Sequence, residues 1–297
     1  LENSLNRNYH LGLYEKAMPS NLTWKEKLSA AKASGFDHVE ISIDETDEKL
    51  SRLNWTQDQR RELVSAMEET GVPIRSMCLS GHRKYPLGSP DPATQARGLE
   101  IMDQAVTLAA ELGIRIIQLA GYDVYYEPGT EKTRELFADG LKKSIGMAAK
   151  SGIVLGFETM ETPFMDTVEK AMKYVDLIDS PYLGVYPDIG NLQNAALLYG
   201  KPAAEDLKTG KGHIFAAHLK ETLPGHYREI PFSTGHTDYL GCISRLKEQN
   251  VRLYVGEFWY KGSPQWREDL RFAAKFLREK LDAVWIDDSH QICSVNA

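Results

Sequence analysis

Four times between residues 34 and 152 the chain closes a helical stretch on glycine and opens an apolar, β-prone run a few residues later. The pairs are Ser34-Gly35, Thr70-Gly71, Leu112-Gly113 and Ser151-Gly152, spaced 36, 42 and 39 residues apart. Glycine suits the left-handed residue that ends a helix, so each pair reads as a helix stop followed by a strand start. Helix starts are marked as well, since Thr23-x-x-Glu26 and Thr56-x-x-Gln59 have the capping-box pattern. Leu99, Met102, Val106 and Ala109 recur at helical spacing and predict one face turned to a sheet. Continued along the chain, the rhythm predicts eight strands near 9–14, 37–42, 74–79, 114–120, 153–158, 183–188, 213–219 and 251–257. Helical segments are expected at 24–34, 57–70, 93–112, 131–151, 166–179, 203–210, 237–249 and 266–283. Eight alternating units in 297 residues predict an α/β fold, a single-domain (β/α)8 TIM barrel. The competing doubly wound sheet calls for a glycine-rich phosphate turn after its first strand, and His10-Leu-Gly-Leu-Tyr-Glu15 has none. With no linker or composition break, residues 1–297 read as one domain, the barrel covering about 9–283 and a polar tail following.

Composition excludes several classes. A net charge of −7 argues against a nucleic-acid partner, which wants a basic surface. No apolar run approaches the ~20 residues that cross a bilayer, and the polar start Leu1-Glu-Asn-Ser4 does not read as a signal peptide. Cys78, Cys242 and Cys293 are far apart and form no CxxC pair, so reduced thiols in a cytoplasmic protein are expected.

The chemistry concentrates at four strand ends. Glu158 closes Val154-Leu-Gly-Phe-Glu158, Asp188 follows Leu183-Gly-Val-Tyr-Pro187, His218 follows Ile214-Phe-Ala-Ala217, and Glu257 follows Val251-Arg-Leu-Tyr-Val-Gly256. Strand ends of a parallel barrel converge on one face, where active sites are built. Taken singly, each residue has an ordinary alternative. Glu158 could pair with a lysine, Asp188 could hold a turn, His218 could be a satisfied core histidine, and a buried Glu257 needs some partner. One divalent metal held by Glu158, Asp188, His218 and Glu257 accounts for all four. Three oxygens and one nitrogen suit Zn²⁺ or Mn²⁺, with Mg²⁺ as a third option.

The chain resembles the xylose-isomerase-like barrels, and more closely the L-xylulose/L-ribulose 5-phosphate 3-epimerases of pentose and L-ascorbate catabolism. The resemblance spans about residues 9 to 283. It rests on motifs such as Leu11-Gly-Leu-Tyr-Glu-Lys-Ala17, Ser76-Met-Cys-Leu-Ser80, Gln118-Leu-Ala-Gly-Tyr-Asp-Val-Tyr-Tyr126 and Tyr186-Pro-Asp-Ile-Gly-Asn-Leu192. It implies a cytoplasmic, homodimeric isomerase acting on a sugar phosphate, with Glu158, Asp188, His218 and Glu257 as metal ligands. It also implies Glu158 and Glu257 as the acid–base pair. Epimerising carbon 3 of a 2-ketose needs a base to take the C3 proton, which is α to the C2 carbonyl. An acid must then return a proton to the opposite face through an enediolate. A divalent metal at the C2 and C3 oxygens stabilises that charge.

Weaker candidates surround this core. Asn191 has either a sugar contact or a capping role. Lys220, two residues beyond His218, shares its side of a strand and suits a phosphate or a salt bridge. The basic cluster His82-Arg83-Lys84 suits a phosphate or is solvated surface. Tyr14, Glu40 and Gln118 end strands one, two and four and are expected to line the pocket, and Trp259 offers an apolar wall. Competing functions are another sugar or sugar-phosphate isomerase, such as a hexulose-phosphate isomerase or free-ketose 3-epimerase, an abasic-site endonuclease, and a non-catalytic sugar binder.

Overall fold

The computed structural model describes residues 7–286, so the expected tail beyond about 284 and Cys293 fall almost wholly outside it. Eight parallel strands form one sheet: β1 (His10–Tyr14), β2 (His38–Ile43), β3 (Ile74–Leu79), β4 (Ile116–Ala120), β5 (Val154–Glu158), β6 (Leu183–Val185), β7 (Ala217–Leu219) and β8 (Leu253–Gly256). β1 to β6 pair in sequence order, β1 also pairs with β8, and β8 pairs with β7. Between β6 and β7 the closure is made by isolated parallel bridges, Val185 to Ile214 and Asp188 to His218. The His218 N–H donates to Pro187 O at 2.9 Å, which sets two of the predicted ligands side by side. The strands are apolar because both faces of a closed parallel sheet are covered. Leu11, Leu13, Val39, Ile41, Leu155 and Phe157 are all fully buried.

The surrounding helices are α1 (Trp24–Ser34), α2 (Asp47–Ser51), α3 (Gln57–Thr70), α4 (Pro92–Glu111), α5 (Glu131–Lys150), α6 (Val168–Ile178), α7 (Ile189–Tyr199), α8 (Ala203–Asp206), α9 (Tyr239–Glu248) and α10 (Trp266–Trp285). Both expected capping boxes form, at Thr23–Glu26 and Thr56–Gln59. Gly35, Gly71, Gly113 and Gly152 have φ of +97°, +70°, +74° and +65°, as the helix-stop reading requires. Met102, Val106 and Ala109 of α4 are buried against the sheet, with Leu99 packed beside them.

The short α2 was not expected from sequence, and the region after β6 departs further from the expectation. The segment at 203–210 is a single α-helical turn continued by a 3-10 turn, and the main helix after β6 is α7. Asp188 caps it, its Oδ1 accepting from the Asn191 N–H at 2.7 Å. Gly190 and Asn191 are poor helix formers, which hides this start in the sequence. Glycine is needed there by packing: a Cβ on Gly190 would lie 2.7 Å from the Lys220 backbone oxygen.

A buried charge cluster ties the end of β1 to α1 and to the segments after β2. Glu15 directly follows β1 and is 1% exposed. Its Oε1 lies 2.5 Å from Lys49 Nζ and 3.6 Å from Lys27 Nζ, and its Oε2 lies 2.6 Å from Arg52 Nη1. The Ser42 N–H also donates to Oε2, at 3.0 Å. Arg52 lies 5.3 Å from the Trp24 ring centre and 5.7 Å from that of Trp55, within cation–π range.

Candidate metal centre

Glu158 is the last residue of β5, Asp188 caps α7, His218 lies within β7, and Glu257 follows β8. One ligand atom from each lies within 4.8 Å of the other three, and all four residues are buried. His218 Nδ1 is 3.5 Å from Glu158 Oε1, 3.5 Å from Glu257 Oε2 and 3.9 Å from Asp188 Oδ2. Thr159 braces Asp188: its Oγ1 accepts from the Asp188 N–H at 3.0 Å and donates to the Asp188 carbonyl at 3.2 Å.

The donor set fits a divalent cation. Asp188 Oδ2 and Glu257 Oε2 are buried without a hydrogen-bond donor. Each lies 3.1 Å from Lys220 Nζ, close enough for charge pairing but outside hydrogen-bond geometry. Four buried carboxylates, on Glu40, Glu158, Asp188 and Glu257, face one lysine and one histidine. Negative charge therefore exceeds positive even with His218 protonated, and buried unpaired charge is costly.

The titration behaviour follows from this crowding. Burial pushes Asp188 up to about 7 against the pull of Lys220. Burial, then the Glu257 carboxylate, raises Glu158. Burial opposes the charge on Glu257, but Lys220 and His218 hold it well below the usual range. Burial likewise opposes an imidazolium at His218, but Glu40 and Glu257 raise it well above its ordinary value.

Above this floor lies a cavity of about 80 Å³ at the C-terminal ends of the strands. Glu158 and Glu257 reach it, as do Tyr14, Arg83, Asn191, Lys220 and Trp259 from the sequence-derived set. Asn191 Nδ2 donates to the Thr159 carbonyl at 2.7 Å, leaving its buried Oδ1 without a partner. Lys220 is held among the carboxylates, so its ammonium belongs to the metal end of the cavity. Trp259 meets Tyr14 edge-on, with ring centres 6.2 Å apart.

The other candidates lie elsewhere. His82 is buried with Nε2 3.0 Å from the Gly98 carbonyl of α4, and desolvation lowers its pKa to about 4. Lys84 is exposed, with its Nζ 5.4 Å from the Tyr85 ring centre. Glu40 and Gln118 are fully buried and do not line the cavity. Gln118 Nε2 sits 3.1 Å from His218 Nδ1 and 3.2 Å from Nε2. Glu40 Oε1 lies 2.6 Å from His218 Nε2.

Six cavity residues were not singled out as candidates from sequence: the uncharged Cys78, Ser80 and Met160, and the charged Lys16, Glu161 and Arg228. Arg228 Nη2 lies 2.8 Å from Glu161 Oε1, which also accepts from Tyr125 OH at 3.1 Å, and Arg83 stacks 4.8 Å from the Tyr125 ring centre. Lys16 falls inside the Leu11–Ala17 motif and Glu161 three residues after Glu158, so position along the chain offered a signal for both. Arg228 stands in an irregular loop with none.

An eight-stranded parallel barrel carrying a buried carboxylate–histidine cluster at its C-terminal strand ends describes a class, and sequence comparison agrees. The chain belongs to the xylose isomerase-like TIM barrel family, whose model matches residues 28–280. It is 46% identical over 256 residues to L-ribulose-5-phosphate 3-epimerase UlaE of Escherichia coli K12, covering 86% of this chain and 89% of that protein. Solved structures with the same fold include an L-ribulose 3-epimerase, with TM-score 0.72 and 16% identity over 97% of this chain and 99% of that one. A D-psicose 3-epimerase from Clostridium cellulolyticum H10 superposes with TM-score 0.76 at 15% identity, over 92% of this chain and 99% of that one. Among the described residues no helix is long and apolar enough to cross a membrane.

Proposed function

We propose that this chain is a metal-dependent 3-epimerase interconverting L-xylulose 5-phosphate and L-ribulose 5-phosphate. The observation that carries the proposal is the approach of Glu158 and Glu257 to one histidine nitrogen, 3.5 Å each, in a chain 46% identical to an L-ribulose-5-phosphate 3-epimerase. Glu158, Asp188, His218 and Glu257 would hold the cation, with Zn²⁺ or Mn²⁺ favoured by the donor set and Mg²⁺ a third choice. Bound there, the cation supplies electrophilic stabilisation of charge developing on the neighbouring sugar oxygens.

The remaining work falls to the chain. Glu158 and Glu257 arrive from strands five and eight and exchange roles with direction. One carboxylate removes the C3 proton, and the other, as its acid, returns a proton to the opposite face. Lys220 offers a fixed positive charge beside both Asp188 and Glu257, and Asn191 offers an unpartnered oxygen to a sugar hydroxyl. Tyr14 and Trp259 wall the cavity and limit water. The phosphate is assigned to Arg83 on the cavity wall, and not to His82, whose ring is tied to α4. A cytoplasmic homodimer serving pentose and L-ascorbate catabolism belongs to the same reading.

The test is a steady-state assay of the purified protein on L-ribulose 5-phosphate and on free L-ribulose, before and after chelation. The phosphorylated sugar is expected to give the higher kcat/KM, and chelation to remove activity that added metal restores. Equal efficiency on both sugars counts against the phosphate assignment, and full turnover after demetallation counts against the metal.

A further inference from the structure

Glu40 was expected at the cavity wall, but it is fully buried beneath it. Its Oε1 accepts from His218 Nε2 at 2.6 Å. Its Oε2 accepts from Ser76 Oγ at 2.6 Å and from Tyr186 OH at 2.9 Å. Ser76, Tyr186 and His218 are likewise fully buried, and the Tyr186 ring meets the imidazole edge-on with ring centres 5.1 Å apart. A barrel interior is ordinarily filled by branched apolar side chains, and a carboxylate placed there costs several kcal/mol unless it is fully hydrogen-bonded. Glu40 is so bonded, and it touches no solvent and no cavity.

What this carboxylate decides is which ring nitrogen of His218 carries the proton. A carboxylate accepts only, so the nitrogen facing it must donate. Gln118 stands almost equally far from both nitrogens, 3.1 and 3.2 Å, and selects neither. Of the two nitrogens, only Nε2 has a carboxylate in close hydrogen-bond contact, Glu40 at 2.6 Å. The carboxylates facing Nδ1 stand 3.5 Å away or farther, and a cation bound among them displaces the Nδ1 proton. With the proton on Nε2, the Nδ1 lone pair faces Glu158, Glu257 and Asp188 at 3.5, 3.5 and 3.9 Å.

We propose that Glu40 is a positioning residue that locks His218 as the Nε2–H tautomer and presents Nδ1 as the metal-binding atom, with Ser76 and Tyr186 fixing the carboxylate. This rests on the reading of the four donors as a metal site. A carboxylate behind a ligating histidine orients the ring and raises its basicity, and losing such a partner typically weakens metal binding about 10–100-fold. Glu40→Gln preserves the shape and keeps an oxygen to accept from His218 while removing the negative charge, and the Ser76 and Tyr186 hydroxyls must turn to accept from the new amide.

The experiment is a Zn²⁺ titration of wild type and Glu40→Gln against a chromophoric chelator, together with nitrogen–proton NMR of the imidazoles in the Zn²⁺-loaded wild type. The expected results are an affinity about 10–100-fold weaker in Glu40→Gln, and a His218 proton on Nε2 with Nδ1 bare of hydrogen. Equal Zn²⁺ affinity in a folded Glu40→Gln, or a His218 proton on Nδ1, overturns the assignment. The NMR measurement needs no variant, so a His218 proton on Nδ1 overturns the assignment even if Glu40→Gln does not fold. A wild type that binds no Zn²⁺, Mn²⁺ or Mg²⁺ overturns the metal reading itself, and the role of Glu40 with it.

Discussion

Glu158→Gln and Glu257→Gln are each expected to lower kcat by at least ~10²-fold, the usual worth of a positioned acid–base group. Glutamine keeps the size of the side chain and loses the site that takes up a proton. Both carboxylates reach the cavity, whereas Asp188 and His218 lie beneath it with no exposure. The two glutamates are therefore the groups placed to meet a substrate proton. The loss combines two effects, since each residue is also a proposed metal ligand. Kinetics at saturating metal, with metal content measured in the same samples, separate them. A variant that binds metal fully and keeps kcat within about tenfold of wild type would remove that glutamate from the acid–base pair.

Glu15→Ala is expected to cost about 3–5 kcal/mol of folding stability, the usual penalty for breaking a buried ionic contact by removing one partner. The magnitude reflects the imbalance around it: Lys27, Lys49 and Arg52, none more than 7% exposed, share this one carboxylate. Their tryptophan neighbours soften the loss without replacing a counter-ion. Burial opposes the charge on Glu15, but Arg52 and Lys49 hold its pKa down to about 2 from an ordinary 4.5. A depressed carboxylate stabilises the fold fully above its unfolded pKa and loses that contribution as pH falls through the folded value. Urea unfolding of both proteins at neutral pH and in acid tests this. The gap between them should be large at neutral pH and shrink as pH falls from about 4.5 towards 2. A gap that is small at neutral pH, or unchanged in acid, contradicts it.

Much of this was legible because barrel units punctuate themselves. Thr23, Thr56 and the four helix-stop glycines act within a few residues, so local chemistry located α1, α3, α4 and α5 and the strands beside them. The four donors were visible for a related reason: each interrupts an apolar run at the end of a strand. What stayed hidden depends on depth and on double roles. Asp188 caps α7 with one oxygen and faces the other donors with its second, and neither the ligand reading nor its turn alternative marked a helix start. Glu40 and His82 were identified as polar residues near the right face, but sequence does not tell cavity wall from the layer behind it. Arg228 comes from an irregular loop and meets Glu161 only through the fold.

The most direct test of the central claim is to incubate the metal-loaded protein with L-xylulose 5-phosphate in D₂O and follow both pentulose phosphates by NMR. The account predicts L-ribulose 5-phosphate carrying deuterium at C3, with none entering C1. Deuterium at C1 accompanied by an aldose phosphate would contradict it and make the protein an aldose–ketose isomerase.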